Sequence, residues 1–290
     1  MALKRFLFNI LILIGFGYVS HSQEVNPFSH LSKEERMKLA DKYHDLSQTV
    51  YQTSEMHRMY KDSALLAVPD HVNYMQRASY SYKKAGEHIK AMEMLNKAVA
   101  IDTTNGKTAA LEYKAWSMLY YYRDYESTIK DVDKVIEISK ISHKACHGES
   151  CLLLKAQAYY QLGEYQKAIE TFDYLLDLLE KEGQDRKDDF LVNFYLARSY
   201  FKLNDLDKSL FYLNQQLNMP YSVKAELNFY AGQIYVLKND KEKAKQHFLK
   251  AKELYLQNDK MIEPYIERFD EIFMNDIELE INKLIKPVKY

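Results

Sequence analysis

Ala158-Tyr159-Tyr160-Gln161-Leu162-Gly163-Glu164-Tyr165-Gln166-Lys167-Ala168-Ile169 decides the fold. Gly163 interrupts a sequence otherwise suited to helix, and glycine tolerates the left-handed backbone that ends one. Ala156 and Ala168 flank this break twelve residues apart. Small side chains at that separation can face each other across a turn, so two antiparallel helices can approach closely. The stretch predicts a helix–turn–helix hairpin.

Its features recur along the chain. Small residues stand at Ser79, Ala115, Ala156, Ala197 and Gly232, and a second series stands at Ala91, Thr128, Ala168, Ser209 and Ala244. The two marks of each unit are 12 or 13 residues apart. Large residues follow at fixed offsets: Tyr82, Met118, Tyr159, Tyr200 and Tyr235 after the first mark, Leu95, Val132, Phe172, Leu213 and Phe248 after the second. Seven residues past the first mark come Gly86, Gly163, Asn204 and Asn239, types that accept a left-handed helix end. The second unit departs with Tyr122-Arg123 and is one residue longer there. A single hairpin cannot bury both its faces, so successive units must stack. Ala98, Val135, Leu175 and Ala251 are placed for that contact, and Gln216 weakens it in the fourth unit.

Composition agrees with an all-α chain. Among 290 residues there are 8 Gly and 5 Pro, where average usage gives about 20 and 15. Sandwiches, barrels and dinucleotide-binding sheets need more special turns than that. A 47% hydrophobic content excludes global disorder, and a net charge of -1 argues against a nucleic-acid partner.

At these marks the chain resembles the tetratricopeptide repeat family, over five units spanning roughly 72–258. Spacings of 35 to 41 between first marks exceed the family's ~34, so some inter-unit turns are longer. The resemblance implies a right-handed superhelical solenoid of α-α hairpins. Residues 23–71 are expected to form helices, with a degenerate sixth repeat as one reading; Ser32-x-x-Glu35 makes a capping box there. Residues 259–290 are expected to form a C-terminal capping helix. Tyr265, Ile266, Phe269, Ile272, Phe273 and Ile277 follow helical spacing after Pro264, and an open solenoid end would leave apolar surface wet.

Residues 1–22 read as a signal peptide: Lys4-Arg5, then an apolar run from Phe6 to Val19, then small residues before Gln23. The apolar run is shorter than the ~20 residues that span a bilayer. No second run of spanning length follows, so the mature chain is expected to lack a membrane span. Export to the periplasm or beyond is the expected localisation.

In the resembled family, first-helix residues line a concave face that binds extended peptides or helices. The equivalent positions here give Tyr80, Lys83 and Lys84; Trp116 and Tyr120; Tyr160; Phe194, Arg198, Phe201 and Lys202; Phe229 and Gln233. Aromatic side chains with polar tips suit a binding surface; packing between units competes for the same side chains. The chaperone-tail form of the family grips a chain-terminal carboxylate with Lys and Asn, but Gln76 and Tyr80 stand where the first such pair would fall. A partly acidic, partly apolar segment is the expected ligand. The expected function is a non-enzymatic protein-interaction scaffold with a protein or peptide partner and no cofactor.

His143, Cys146, His147 and Cys151 cluster before the third unit. They admit a disulfide, two free thiols or a metal site. The last would make the chain a metal-handling or redox accessory protein instead. HExxH, GxSxG, GxxxxGK[ST] and GxGxxG signatures are missing from the sequence.

Overall fold

The computed structural model describes residues 26–183, 191–219, 223–263 and 265–285. The expected signal peptide lies outside them. The chain divides into two compact units, one ending at Pro69 and one starting at Asp70.

In the first unit, α1 (Lys33–Gln48) packs against α2 (Glu55–Ala67). The capping box forms at the start of α1. Ser32 Oγ accepts the Glu35 N–H at 3.2 Å, and the Glu35 carboxylate accepts the Ser32 N–H at 2.8 Å.

The second unit is a solenoid of five helical hairpins. They are α3 (Val72–Lys84) with α4 (His88–Thr104), α5 (Ala109–Ser117) with α6 (Tyr125–Ser139), and α7 (Cys151–Gln161) with α8 (Tyr165–Lys181). Next come α9 (Val192–Lys202) with α10 (Leu206–Leu217), and α11 (Lys224–Leu237) with α12 (Lys241–Leu256). A short ribbon of β1 (Ala145–Cys146) and β2 (Glu149–Ser150) precedes α7, and α13 (Met274–Ile285) packs on α12.

All ten small marks are buried between paired helices. In the fourth hairpin they touch through a hydrogen bond: Ser209 Oγ donates to the Ala197 carbonyl at 2.8 Å. In the fifth, a Cβ on Gly232 would stand 2.7 Å from the Phe248 ring, so only glycine permits that approach. Gly86, Gly163, Asn204 and Asn239 each take positive φ, between 60° and 83°, and turn the chain into the second helix. The extra residue of the second hairpin is absorbed as a π-helical turn, Met118–Tyr122, after which Arg123 takes the left-handed position at φ 55°. Ala98, Val135, Leu175 and Ala251 are fully buried where units stack. Gln216 is buried in the same role, and neither its amide nitrogen nor its amide oxygen has a partner among the described residues.

The region after the repeats differs from the expected continuous helix over 259–290. The described residues between Gln257 and Phe273 are not helical, and α13 begins only at Met274. Asp270 adopts φ 58°, a left-handed conformation that breaks a helix. The cap is therefore two objects, an irregular strap followed by one helix. No helix among the described residues is long and apolar enough to cross a membrane.

Candidate functional site: the first-helix face and its strap

The first helices α3, α5, α7, α9 and α11 carry the residues expected to bind a partner. The strap, residues 261–263 and 265–272, lies against several of them. Arg268 reaches the Tyr120 hydroxyl at 2.9 Å and pairs with Glu149 at 2.6 Å. Phe269 stacks on Tyr120, with centroids 5.8 Å apart, and packs edge-on to Tyr125. The Arg123 guanidinium covers the same Phe269 ring at 4.5 Å and donates to the Glu267 carbonyl at 2.6 Å. The π-helical turn and its cap thus deliver two strap contacts, Tyr120 and Arg123, from one irregularity.

Asp270 is gripped from two hairpins. It accepts from the Tyr160 hydroxyl at 2.6 Å and from Arg198 Nε at 3.1 Å. Tyr195 and Tyr230 donate to the carbonyls of Phe269 and Asp270 at 3.2 and 2.9 Å. Burial pushes all four hydroxyls, Tyr120, Tyr160, Tyr195 and Tyr230, above the ordinary tyrosine range. They remain protonated and able to donate. The wholly buried Glu226 carboxyl accepts the Met261 N–H at 3.0 Å. It also accepts from the Ile272 backbone, and burial pushes its pKa up to about 7. One carboxyl therefore closes both ends of the strap.

Glu149 is placed by the ribbon. Ala145 pairs with Ser150 and Cys146 with Glu149, while His147 and Gly148 both take positive φ in the two-residue turn. Cys146 and Cys151 are joined in a disulfide with Cα atoms 4.9 Å apart. The two histidines go elsewhere: His143 pairs with Glu182 at 3.0 Å, and His147 packs on the rings of Tyr113 and Trp116. With both thiols consumed and the imidazoles directed apart, Cys146 and Cys151 staple the ribbon and the four residues do not converge as ligands.

The remaining expected site residues fall into three places. Arg198, Phe201, Lys202, Phe229 and Gln233 line a pocket of about 370 Å³, with Glu271 and α13 acids on its other side. At the other end of the face, Lys84 lies over the rings of Tyr80 and Tyr265. Trp116 is half-buried against Tyr113, Tyr120 and His147. Lys83 is only 3% exposed. Its ammonium sits 4.5 to 5.5 Å from the ring centres of Tyr80, Tyr113, Trp116 and Tyr121, with Ser117 Oγ at 3.3 Å and no carboxylate paired to it among the described residues. Phe194 does not reach the face. It is fully buried against Tyr195 and Tyr230, filling the space between hairpins.

The tetratricopeptide repeat family model matches residues 72–105, 150–178 and 225–258, three of the five hairpins. The matched stretches are tetratricopeptide repeats, and the five hairpins form an all-α solenoid of that type. Solved structures of similar fold include PilW, a widely conserved type IV pilus biogenesis factor, at 12% identity and TM-score 0.59, covering 88% of this chain and 98% of that one. Pseudomonas aeruginosa PilF aligns at 17% identity and TM-score 0.57, covering 77% and 94%. A tetratricopeptide repeat protein from Parabacteroides merdae aligns at 16% identity and TM-score 0.51, covering 90% and 86%. At such identities the likeness is one of fold. No curated protein matches the chain.

Relative to the repeat pattern, the sequence reading missed Glu149, Tyr195, Tyr230 and Glu226 on the hairpins and Arg268-Phe269-Asp270 on the strap. Tyr195, Glu226 and Tyr230 lie off the lining positions assumed for first helices. One signal pointed to the strap. Arg198 occupies a lining position held by Tyr80, Trp116, Gln157 and Gln233 in the other hairpins. A lone buried arginine in an otherwise uncharged row needs a carboxylate.

Proposed function

We propose that this tetratricopeptide-type solenoid is an exported, non-enzymatic scaffold that binds an extended segment of a partner protein along its first-helix face. One observation carries this reading: the face already accommodates a non-helical segment, using hydroxyl groups for its backbone carbonyls and an arginine for its carboxylate. Hydroxyls aimed at carbonyls suit any extended chain, while the charged and aromatic contacts select a sequence. The pocket beside Phe201, walled in part by Glu271 and Ile272 of the strap, and the half-buried Trp116 supply further surface. Export is supported by the layout of residues 1–22 and by the disulfide, which persists in oxidising compartments.

Trp116 is the sole tryptophan, which makes the test direct. A partner isolated on the native chain is expected to change Trp116 fluorescence on binding. Combining Trp116→Ala with Phe201→Ala is expected to weaken that complex at least tenfold. Unchanged affinity in the double variant refutes the assignment of this face. N-terminal sequencing of the protein recovered from its source cells is expected to begin at Gln23; an intact Met1 refutes export by cleavage.

A further inference from the structure

The strap is bound to the solenoid in an unusual manner for a folded chain segment. Among the described residues, no backbone–backbone hydrogen bond joins residues 261–272 to the hairpins. The hydrogen bonds that join them each involve a side chain: Arg123, Tyr195, Tyr230 and Glu226 to the strap backbone, Tyr160 and Arg198 to Asp270, and Arg268 to Tyr120 and Glu149. This is how a protein holds a peptide, and such segments open at lower free energy than the elements beneath them. On the strap's outer side Ile262 and Tyr265 are each more than half exposed.

The face carries a fixed charge order. Glu149 stands at the start of the third hairpin and Arg198 in the fourth, and Tyr120, Tyr125 and Arg123 of the second hairpin form an aromatic and cationic seat for Phe269. The Arg198 side chain is 6% exposed and that of Glu149 12%. Removing the strap without replacement would strand both charges in a poorly hydrated setting. Any segment that takes its place must restore a cation opposite Glu149 and a carboxylate opposite Arg198.

We infer that Arg268-Phe269-Asp270 is an internal pseudo-ligand, and that the partner segment bears the same basic–aromatic–acidic order in extended form and binds by displacing the strap. This rests on the scaffold reading above and adds the partner's chemistry and its regulation. Because the strap is tethered, it competes at a high effective concentration. The native chain is therefore held in a low-affinity state, and the partner gains access only as the strap opens.

The test uses a synthetic, fluorophore-labelled peptide of residues 261–273 and the full-length chain. The host variant combines Phe269→Ala with Asp270→Ala, which weakens the strap and leaves the receiving side chains intact. By fluorescence anisotropy, the peptide is expected to bind this variant at least tenfold more tightly than the wild type. A peptide with Arg268, Phe269 and Asp270 all replaced by alanine is expected to lose that binding. Asp270→Asn, which preserves volume, serves as a milder host should the double variant unfold, with the same direction expected.

Equal binding to wild type and variants, or none to a folded variant, overturns the inference. So does a doubling of wild-type mass in light scattering that Asp270→Asn abolishes, because the occupant would then be a second copy's strap. If the peptide fails while a natural partner still depends on Trp116 and Phe201, the scaffold reading stands and only the pseudo-ligand falls.

Discussion

Replacing Lys83 with methionine should stabilise this protein at neutral pH. The ammonium is almost wholly buried, and desolvation, reinforced by Lys84, pushes its pKa from an ordinary 10.5 down to about 7. That difference corresponds to a ceiling of about 5 kcal/mol against the charged form. The four surrounding rings act in the opposite direction. At 4.5 to 5.5 Å each returns roughly 0.5–1 kcal/mol, about 2–4 kcal/mol in all. Burial wins by a narrow margin, so Lys83→Met should gain about 1–3 kcal/mol at pH 7. For a folded unit of this size the thermal midpoint should rise by ~2–4 °C per kcal/mol.

The pH dependence gives the sharper readout. A lysine whose folded pKa is depressed makes the unfolded chain the better proton binder between about 7 and 10.5. Wild-type stability should therefore climb as pH rises through that window, and Lys83→Met should lack this rise. Its advantage should be largest at pH 7 and should shrink toward pH 10. Circular dichroism melts of both proteins at pH 7, 8.5 and 10 test this. A variant that melts lower than wild type at pH 7 refutes the reasoning, because it would mean that the rings hold the cation at a net gain.

Three further outcomes follow from the packing. Gln216→Leu removes a buried amide without partners and should raise stability by about 1–3 kcal/mol in urea denaturation; a loss would mean that the amide has a partner. Replacing Cys146 and Cys151 together by serine opens a very short loop and should cost about 2 kcal/mol. It should also speed hydrogen exchange at 266–270, because Glu149 rides on the stapled ribbon. Glu226 has the opposite linkage to Lys83. With a folded pKa raised from 4.5 to about 7, its contribution is complete below 4.5 and is lost as pH rises through 7. Wild-type stability should fall over that interval, while Glu226→Gln, which keeps an oxygen for Met261 and Ile272, should lack this component.

The repeat was legible because its determinants are local. A tiny side chain between two helices, and a glycine or asparagine where the backbone turns left-handed, each leave a mark at a fixed offset. Ser79 and Ala91 could be paired by counting alone. The π-helical turn was visible only as one residue too many. Nothing in Tyr120-Tyr121-Tyr122 says whether an insertion lengthens a loop or widens a helix. The outcome was settled by Tyr120 joining the hydrogen-bond cluster of Glu149, Gln157 and Arg268.

The strap was misread for a related reason. Ile266, Phe269 and Ile272 recur every third residue, which fits one face of a helix and fits equally well an irregular segment pressed against a wall. Local sequence cannot separate the two. The choice is made by partners far away in the chain: Arg198, 72 residues before Asp270, and Glu226, 35 residues before Met261. A helix through 265–273 would have tied the Phe269 carbonyl into its own hydrogen-bond ladder and taken it from Tyr195. The sequence nevertheless held the clue, since Arg198 breaks an uncharged row of lining residues and no neighbouring lining position supplies an acid. In a stacked-hairpin protein, such an unmatched charge on the inner row identifies a second segment that must come to meet it. Here that segment is the chain's own.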